Sequence, residues 1–172
     1  LGGLLPYLDP DGTFATVLPR GPLSVPGSAG YAWYDFGGDI EAGEHAAAAE
    51  LDALVDEQCA AQGFARSDAI FAGFSQGAGL VLALGLGLLG RADATRPAGI
   101  IAMSPALSAA LPFEVDDAAR AIPVLVQHGT HDPLVPVQRS RDLAQRLQEL
   151  DVPTVYREYP MEHQVAMESI GD

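Results

Sequence analysis

Short apolar runs and longer helical stretches alternate along this chain. The short runs predict buried strands at Phe14–Leu18, Ala69–Ala72, Gly99–Met103, Pro123–Gln127 and Thr154–Tyr159. The longer stretches, in which apolar residues recur at helical spacing or fill whole turns, predict helices at Ala42–Gln62, Gln76–Leu89, Val137–Leu150 and Gln164–Ile170. Strands that alternate with helices in this way predict an α/β fold, with a mostly parallel central sheet and helices on both of its faces.

Two connections rich in proline and glycine, Pro19–Gly38 and Ser104–Asp117, each follow a predicted strand. In a parallel α/β sheet, the connections at the carboxyl ends of the strands form the ligand-binding crevice. We therefore expect both connections to lie over a binding site and to shape its pocket. The chain has no internal repeat and no linker-like segment, so its 172 residues predict one domain spanning 1–172.

Acidic residues outnumber basic ones by 23 to 9, which gives a net charge of −14. Nucleic acids and anionic membranes bind basic surfaces, so the charge predicts neither as a partner. The sequence has no run of about 18 apolar residues, which predicts no integral membrane association. With 48% apolar and 19% charged residues, the composition is typical of a soluble globular domain. We predict a cytoplasmic location, and secretion stays open.

The pentapeptide Gly73-Phe74-Ser75-Gln76-Gly77 stands between a predicted strand and a predicted helix. A G-x-S-x-G sequence in this position forms a sharp turn that places the serine hydroxyl at the tip of the sheet, above the helix N-terminus. The helix dipole and the unpaired N–H groups there stabilise the negative charge that develops in acyl transfer. A serine in such a turn can also simply cap the helix. The complete strand–turn–helix context favours Ser75 as a catalytic nucleophile.

A carboxylate and a histidine follow in the order serine, acid, histidine that is typical of this architecture. Asp132 lies in the loop after the strand Pro123–Gln127, and His163 lies in the loop after the last predicted strand. We predict that His163 is the general base and later the general acid, and that Asp132 holds its imidazole tautomer. The alternatives are an aspartate that only forms a turn before Pro133 and a histidine that only lies on the surface.

The other three histidines are placed less well for a general base. His45 stands near the start of an alanine-rich, acidic helix and is expected to face solvent. His128 and His131 flank the acid loop, where a metal site that includes Asp132 is an alternative. Because His128 ends a buried strand, we expect it to pack next to the site instead, and we predict no metal site.

Four segments resemble the phospholipase/carboxylesterase family of α/β-hydrolases, which includes the acyl-protein thioesterases: GYAWYDF, GFSQGA, HGTHDPLVP and EYPMEHQV. The resemblance implies hydrolysis of a small-molecule carboxylic ester or thioester without a cofactor. It implies the same triad of Ser75, Asp132 and His163, the Gln76 backbone N–H as an oxyanion donor, and Trp33 near the acyl-binding mouth. Short- to medium-chain esters are the first expectation for the substrate. Protein thioesters and lysophospholipids are alternatives, and a homodimer stays open.

The sequence departs from this family near its start. The family has a central strand and a His-Gly loop, which gives the second oxyanion donor, upstream of the segment that begins here at Leu4. This sequence starts at Leu1-Gly2-Gly3, with no strand and no His-Gly before that segment. We therefore expect an α/β-hydrolase domain that is incomplete at both ends, without its N-terminal strands and last helix. The alternatives are completion by a partner chain and an inactive, hydrolase-like binding protein.

Overall fold

The computed structural model describes residues 2–27, 29–91, 93–107 and 114–171, in which strands and helices alternate. The α-helices in these ranges are α1 (Leu5–Leu8), α2 (Ile40–Gln62), α3 (Gln76–Gly85) and α4 (Val137–Glu149). The strands are β1 (Leu23–Ser24), β2 (Tyr31–Ala32), β3 (Ile70–Phe74), β4 (Gly99–Met103), β5 (Val124–Gly129) and β6 (Thr154–Tyr159).

A four-stranded sheet in the order β3-β4-β5-β6 forms the centre of the fold. Each neighbouring pair is parallel, as crossover connections between consecutive strands allow. The carboxyl ends of all four strands therefore lie at one edge, where the segments that follow β3, β5 and β6 begin. This arrangement confirms the predicted, mostly parallel α/β sheet. The short strands β1 and β2 form a separate antiparallel ribbon.

Capping residues and glycines set the ends of the helices. The Asp39 side chain caps α2 by accepting a hydrogen bond from the Ala42 N–H at 3.1 Å, which satisfies one of the free donors at a helix start. Gly63, with a φ of 77°, ends the same helix in the left-handed conformation. The helix α3 ends at Gly85, before the predicted Leu89, because the chain turns at Gly87 with a φ of 74°.

Two apolar clusters hold the helices in place. In the first, α3 and α4 pack on one face of the sheet, with Leu82 and Leu147 against Ile100 and Val126. In the second, α2 packs against α3 through residues that include Ala47, Ala48, Leu51, Leu80 and Ala83. Full burial of one such leucine contributes about 1.5–3 kcal/mol. The helix α3, which begins directly after Ser75, is thus packed on two sides.

The opposite face of the sheet is only partly covered. Ile101, Leu125 and Val155 are partners across three strands, and Val155 is 48% exposed. Closer to the carboxyl edge, the Gln127 side chain donates a hydrogen bond to the Ser169 carbonyl oxygen at 2.7 Å. This bond holds the C-terminal segment against the sheet.

Two of the predicted elements are wrong. Phe14–Leu18 is exposed and forms no strand, and the Phe14 N–H donates to the Asp9 carboxylate instead. An alternating apolar pattern becomes a strand only when another strand pairs with it, and no strand in the described ranges pairs here. Gln164–Ile170 contains only the 3₁₀ turn Met167–Ser169, which has no side-chain cap. So short a segment does not offset the cost of helix nucleation.

Candidate active site

Ser75 lies between the end of β3 and the start of α3, with a φ of 55° and a ψ of −118°. This conformation is strained for a residue with a side chain, so the surrounding structure must hold it. The Ser75 N–H donates to the Met103 carbonyl oxygen at 2.9 Å, and the Ser75 carbonyl oxygen accepts from the Ala106 N–H at 3.1 Å. The end of β4 and the segment after it therefore fix the turn, and the Ser75 side chain is left half-buried at the sheet edge.

Gly73 makes this turn possible because its backbone passes very close to the first turn of α3. A Cβ atom on Gly73 would lie 2.3 Å from the Gly77 carbonyl oxygen. At Gly77, in contrast, the nearest atom outside the local helix backbone is the Trp33 Nε1, at 3.6 Å. The two glycines of the pentapeptide therefore have different roles: the first permits the close approach, and the second leaves room beside Trp33.

Asp132 lies in the loop after β5, and its side chain is fully buried. Its Oδ1 accepts hydrogen bonds from the N–H groups of Leu134 at 2.9 Å and Val135 at 2.8 Å, and its Oδ2 lies 2.6 Å from the His163 Nδ1. Burial alone would raise the pKa of Asp132, but the hydrogen bonds from Val135, His163 and Leu134 hold it below its ordinary value. Asp132 is therefore a carboxylate near neutral pH.

His163 lies in the loop after β6 and contacts both other candidate residues. Because the Asp132 carboxylate can only accept, the His163 Nδ1 carries the hydrogen, and Nε2 is free to accept from the Ser75 hydroxyl at 2.9 Å. The Phe74 ring packs against the imidazole with 4.7 Å between ring centroids. The structure thus brings the three residues predicted from sequence into one continuous hydrogen-bonded chain.

The two loops that hold the acid and the base are bonded to each other. The Thr130 N–H donates to the Tyr159 carbonyl oxygen at 2.8 Å, and the His131 N–H donates to the Met161 carbonyl oxygen at 3.1 Å. A Cβ on Gly129 would lie 2.2 Å from that Met161 oxygen, so the two backbones meet only because residue 129 is glycine. These bonds extend the pairing of β5 and β6 into the site.

His128 lies behind the acid and is fully buried. Its Nε2 is 2.9 Å from the Val135 carbonyl oxygen and 3.3 Å from the Asp132 Oδ2. Its Nδ1 is 2.6 Å from the Ser140 Oγ. Since a carbonyl oxygen can only accept, Nε2 carries the hydrogen and Nδ1 accepts from Ser140. The position is the one expected from the sequence, next to the site and occupied by hydrogen bonds.

His131 and His45 are both exposed. From the sequence, a metal site formed by His128 and His131 with Asp132 is the alternative for this loop. Within the ranges that the structure describes, no group of three or more histidine, cysteine, aspartate or glutamate side chains is arranged to hold a metal ion.

Trp33 lies in the connection Pro19–Gly38, half-buried beside the first turn of α3. It also lines a surface cavity of about 340 Å³ between that connection and α2. Ser75, Asp132 and His163 are not among the described residues that line this cavity, so Trp33 borders the cavity and also lies beside the first turn of α3. The other predicted connection, Ser104–Asp117, falls partly outside the described residues, at 108–113.

Gln76 is the first residue of α3, so its backbone N–H has no acceptor within the helix. Its side chain is buried, and the sequence did not predict what it does. The side-chain Oε1 accepts from the Trp33 N–H at 3.0 Å, and the side-chain Nε2 donates to the Tyr34 carbonyl oxygen at 2.9 Å. The contact spans 43 residues, so no local pattern could have indicated it.

A parallel α/β sheet that carries a serine at a strand–helix turn is typical of the α/β-hydrolases. Comparison of the sequence with known protein families agrees with this class. The family described as Phospholipase/Carboxylesterase matches residues 14–172, so the chain belongs to that family. The protein is accordingly a serine hydrolase that acts on ester bonds. A comparison with curated proteins returned no match.

Several solved structures resemble the chain. Esterase PE8 is 28% identical over 89% of this chain and 72% of its own, with a TM-score of 0.67. The carboxylesterase from Mesorhizobium loti is 21% identical over 98% of this chain and 77% of its own, with a TM-score of 0.78. The Bacillus cereus carboxylesterase is 20% identical over 98% and 76%, with a TM-score of 0.75. The last two support the fold alone. No helix among the described residues is long and apolar enough to cross a membrane.

Proposed function

We propose that this protein is a carboxylesterase that hydrolyses short- to medium-chain esters through an acyl-enzyme, with Ser75, His163 and Asp132 as the catalytic triad. The observation that supports the proposal is the chain of contacts from the Ser75 Oγ to the His163 Nε2 at 2.9 Å and from the His163 Nδ1 to the Asp132 Oδ2 at 2.6 Å. Nucleophile and base within hydrogen-bond reach, with the base oriented by a third group, are what this chemistry requires.

In the proposed reaction, the His163 Nε2 takes the Ser75 proton while the Oγ attacks the ester carbonyl carbon. A bond forms between Oγ and the carbonyl carbon, and the carbonyl oxygen becomes negatively charged. Collapse of this intermediate breaks the bond to the leaving alcohol, which receives the proton from His163. Water, deprotonated by the same imidazole, then releases the carboxylic acid and restores Ser75. Asp132 stays ionised throughout and stabilises the imidazolium.

The Gln76 backbone N–H is the donor that we propose for the oxyanion. It lies directly after the nucleophile at the N-terminus of α3, where the helix dipole favours negative charge. One such donor is worth about 2.7–4 kcal/mol in the transition state. The family resemblance implies a second donor from a His-Gly loop, and no described residue is assigned that role.

Trp33 is the substrate-binding residue that we propose, because its indole stands beside the turn that holds Ser75. The net charge of −14 disfavours a substrate presented on an anionic membrane, which supports a small ester over a lysophospholipid. Thioesters are attacked by the same chemistry, so an acyl-protein thioesterase is the second candidate.

The test is the hydrolysis of p-nitrophenyl esters from acetate to decanoate by the wild type and by Ser75→Ala. We expect Ser75→Ala to lose turnover by at least about 10⁴-fold, because alanine has no hydroxyl for His163 to deprotonate. Ser67→Ala, at an exposed serine, is the matched control and should retain full activity. Retention of activity in Ser75→Ala would overturn the assignment. A wild type that neither hydrolyses the series nor reacts with a fluorophosphonate at Ser75 would indicate an inactive binding protein.

A further inference from the structure

The Gln76 side chain joins the nucleophile turn to the segment that carries Trp33. Both ends of its amide are used, since Oε1 accepts from the Trp33 N–H and Nε2 donates to the Tyr34 carbonyl oxygen, at 3.0 and 2.9 Å. The side chain is buried, and only 7% of the residue is exposed. A buried amide satisfied at both ends fixes the distance and the orientation of the two backbones that it joins.

A second contact restrains the same segment from the side of α2. The Tyr34 hydroxyl donates to the Glu44 Oε1 at 3.2 Å, and this pair is buried. Burial, together with the nearby Glu44 carboxylate, raises the pKa of Tyr34, so the phenol stays protonated and keeps donating. The Tyr34 ring is therefore held by α2, whereas Gln76 holds the backbone of this segment at the Trp33 N–H and the Tyr34 carbonyl oxygen.

The position of the Trp33 indole follows from this restraint. Its Nε1 lies 3.6 Å from the point where a Cβ on Gly77 would be, so the indole stands beside the residue that follows Gln76. Gln76 thus contributes twice to the site: its backbone N–H follows the nucleophile, and its side chain sets where the indole stands.

We propose that Gln76 is a positioning residue for acyl-chain selectivity. Its side-chain amide holds the Trp33 indole, called here the wall of the acyl site, at a fixed distance from Ser75. The proposal rests on the proposed function, in which Trp33 borders the acyl site. The proposal requires the indole to lie beyond the reach of an acetyl group on Ser75 and within reach of a longer acyl chain. Loss of the two hydrogen bonds of the Gln76 side chain therefore weakens the binding of esters with long acyl chains more than the binding of acetate esters.

Two variants test the proposal. Gln76→Met keeps the length of the side chain and removes both hydrogen bonds. Gln76→Glu keeps the acceptor for the Trp33 N–H and turns the donor toward Tyr34 into an acceptor. Gln145→Met, at an exposed glutamine of α4 that bonds Glu149, is the matched control. Circular dichroism verifies the fold of each variant.

Trp33 is the only tryptophan of the chain, so its fluorescence reports the position of the wall directly. In both variants we expect emission shifted to longer wavelength and stronger acrylamide quenching than in the wild type and the control. Lowering the pH should return Gln76→Glu, but not Gln76→Met, toward the wild-type emission, because a protonated carboxyl can donate to the Tyr34 carbonyl oxygen as the amide does.

In the kinetics, we expect KM for octanoate and decanoate esters to rise about tenfold, the discrimination that one lost methylene contact is worth. For acetate, KM should rise less, so the ratio of kcat/KM for decanoate to kcat/KM for acetate falls, whereas Gln145→Met should keep the wild-type ratio. An unchanged Trp33 emission in a folded variant would overturn the proposal, and so would an equal loss for all chain lengths. If the wild type has no esterase activity, the proposed function fails while the Trp33 fluorescence still decides whether Gln76 holds the wall.

Discussion

At the scale of single residues, the acid of the site is restrained on both of its oxygens. The backbone N–H groups of Leu134 and Val135 donate hydrogen bonds to the Asp132 Oδ1, and the His163 Nδ1 donates one to Oδ2. His128 approaches Oδ2 from behind at 3.3 Å. The carboxylate therefore cannot rotate without losing several bonds at once, and it presents one oxygen to the imidazole in a fixed direction.

Asp132→Asn is expected to lower kcat by about 10⁴-fold with little change in KM. The asparagine oxygen can keep the two backbone bonds, which leaves the amide nitrogen facing His163 Nδ1 and favours the wrong imidazole tautomer. Steady-state kinetics on p-nitrophenyl butyrate measure the effect. Asp117→Asn, at a side chain that is 98% exposed, is the control. A loss confined to KM would contradict the role of Asp132.

At the scale of elements, the turn from β3 to α3 depends on one glycine more than on the other. Gly73→Ala would force a Cβ to within 2.3 Å of the Gly77 carbonyl oxygen, whereas Gly77→Ala meets only the Trp33 Nε1 at 3.6 Å. Because backbone atoms cannot move aside as a side chain can, we expect Gly73→Ala to lower the free energy of unfolding by about 1–3 kcal/mol. Gly77→Ala should lose much less. Urea denaturation of both variants tests this, and equal losses would contradict the reading of the turn.

The elements that the sequence predicted correctly are those whose pattern is local. The strands at β3, β4, β5 and β6 and the helices α2, α3 and α4 are present, with ends shifted by a few residues. The segment Phe14–Leu18 was mispredicted because alternation shows that a strand is possible, not that a partner exists. The positions of Ser75, Asp132 and His163 could be predicted because each follows a strand at the same sheet edge. The hydrogen bonds of the Gln76 side chain could not be predicted, since they depend on how a connection distant in sequence folds back onto α3.

At the scale of the whole molecule, a charged cluster joins α2 to the segments before β3 and after α3. The Arg66 Nη2 lies 2.5 Å from the Asp52 Oδ1, and both side chains are buried. The Arg91 Nε lies 3.0 Å from the Asp52 Oδ2, but the Arg91 side chain is 55% exposed. Burial alone would raise the pKa of Asp52, yet the hydrogen bonds from Arg91 and the charge of Arg66 hold it below its ordinary value.

Arg66→Leu should therefore destabilise the fold by about 3–5 kcal/mol, because it leaves a buried carboxylate without its buried partner. Arg91→Leu, at an exposed position, should cost much less.

The lowered pKa of Asp52 means that the stabilisation from its carboxylate is complete above its ordinary pKa of about 3.9 and is lost as the pH falls through the lowered value. The gap between wild type and Arg66→Leu in urea denaturation should thus be largest near neutral pH and narrow in acid. An equal gap at every pH would indicate lost packing instead of lost charge.

The bonds that carry the β5–β6 ladder into the loops of Asp132 and His163 make catalysis sensitive to strand register. A slip of β6 by one residue would displace its loop by about 3.3 Å, which is more than the 2.6 Å contact between acid and base can absorb. A misregistered sheet would still look like an α/β protein by circular dichroism, yet its Ser75 would have no activated base. Under the proposed mechanism, the fraction of a preparation that a fluorophosphonate can titrate is therefore a count of correctly assembled sheets, and refolding yields can be scored by chemistry instead of by spectroscopy.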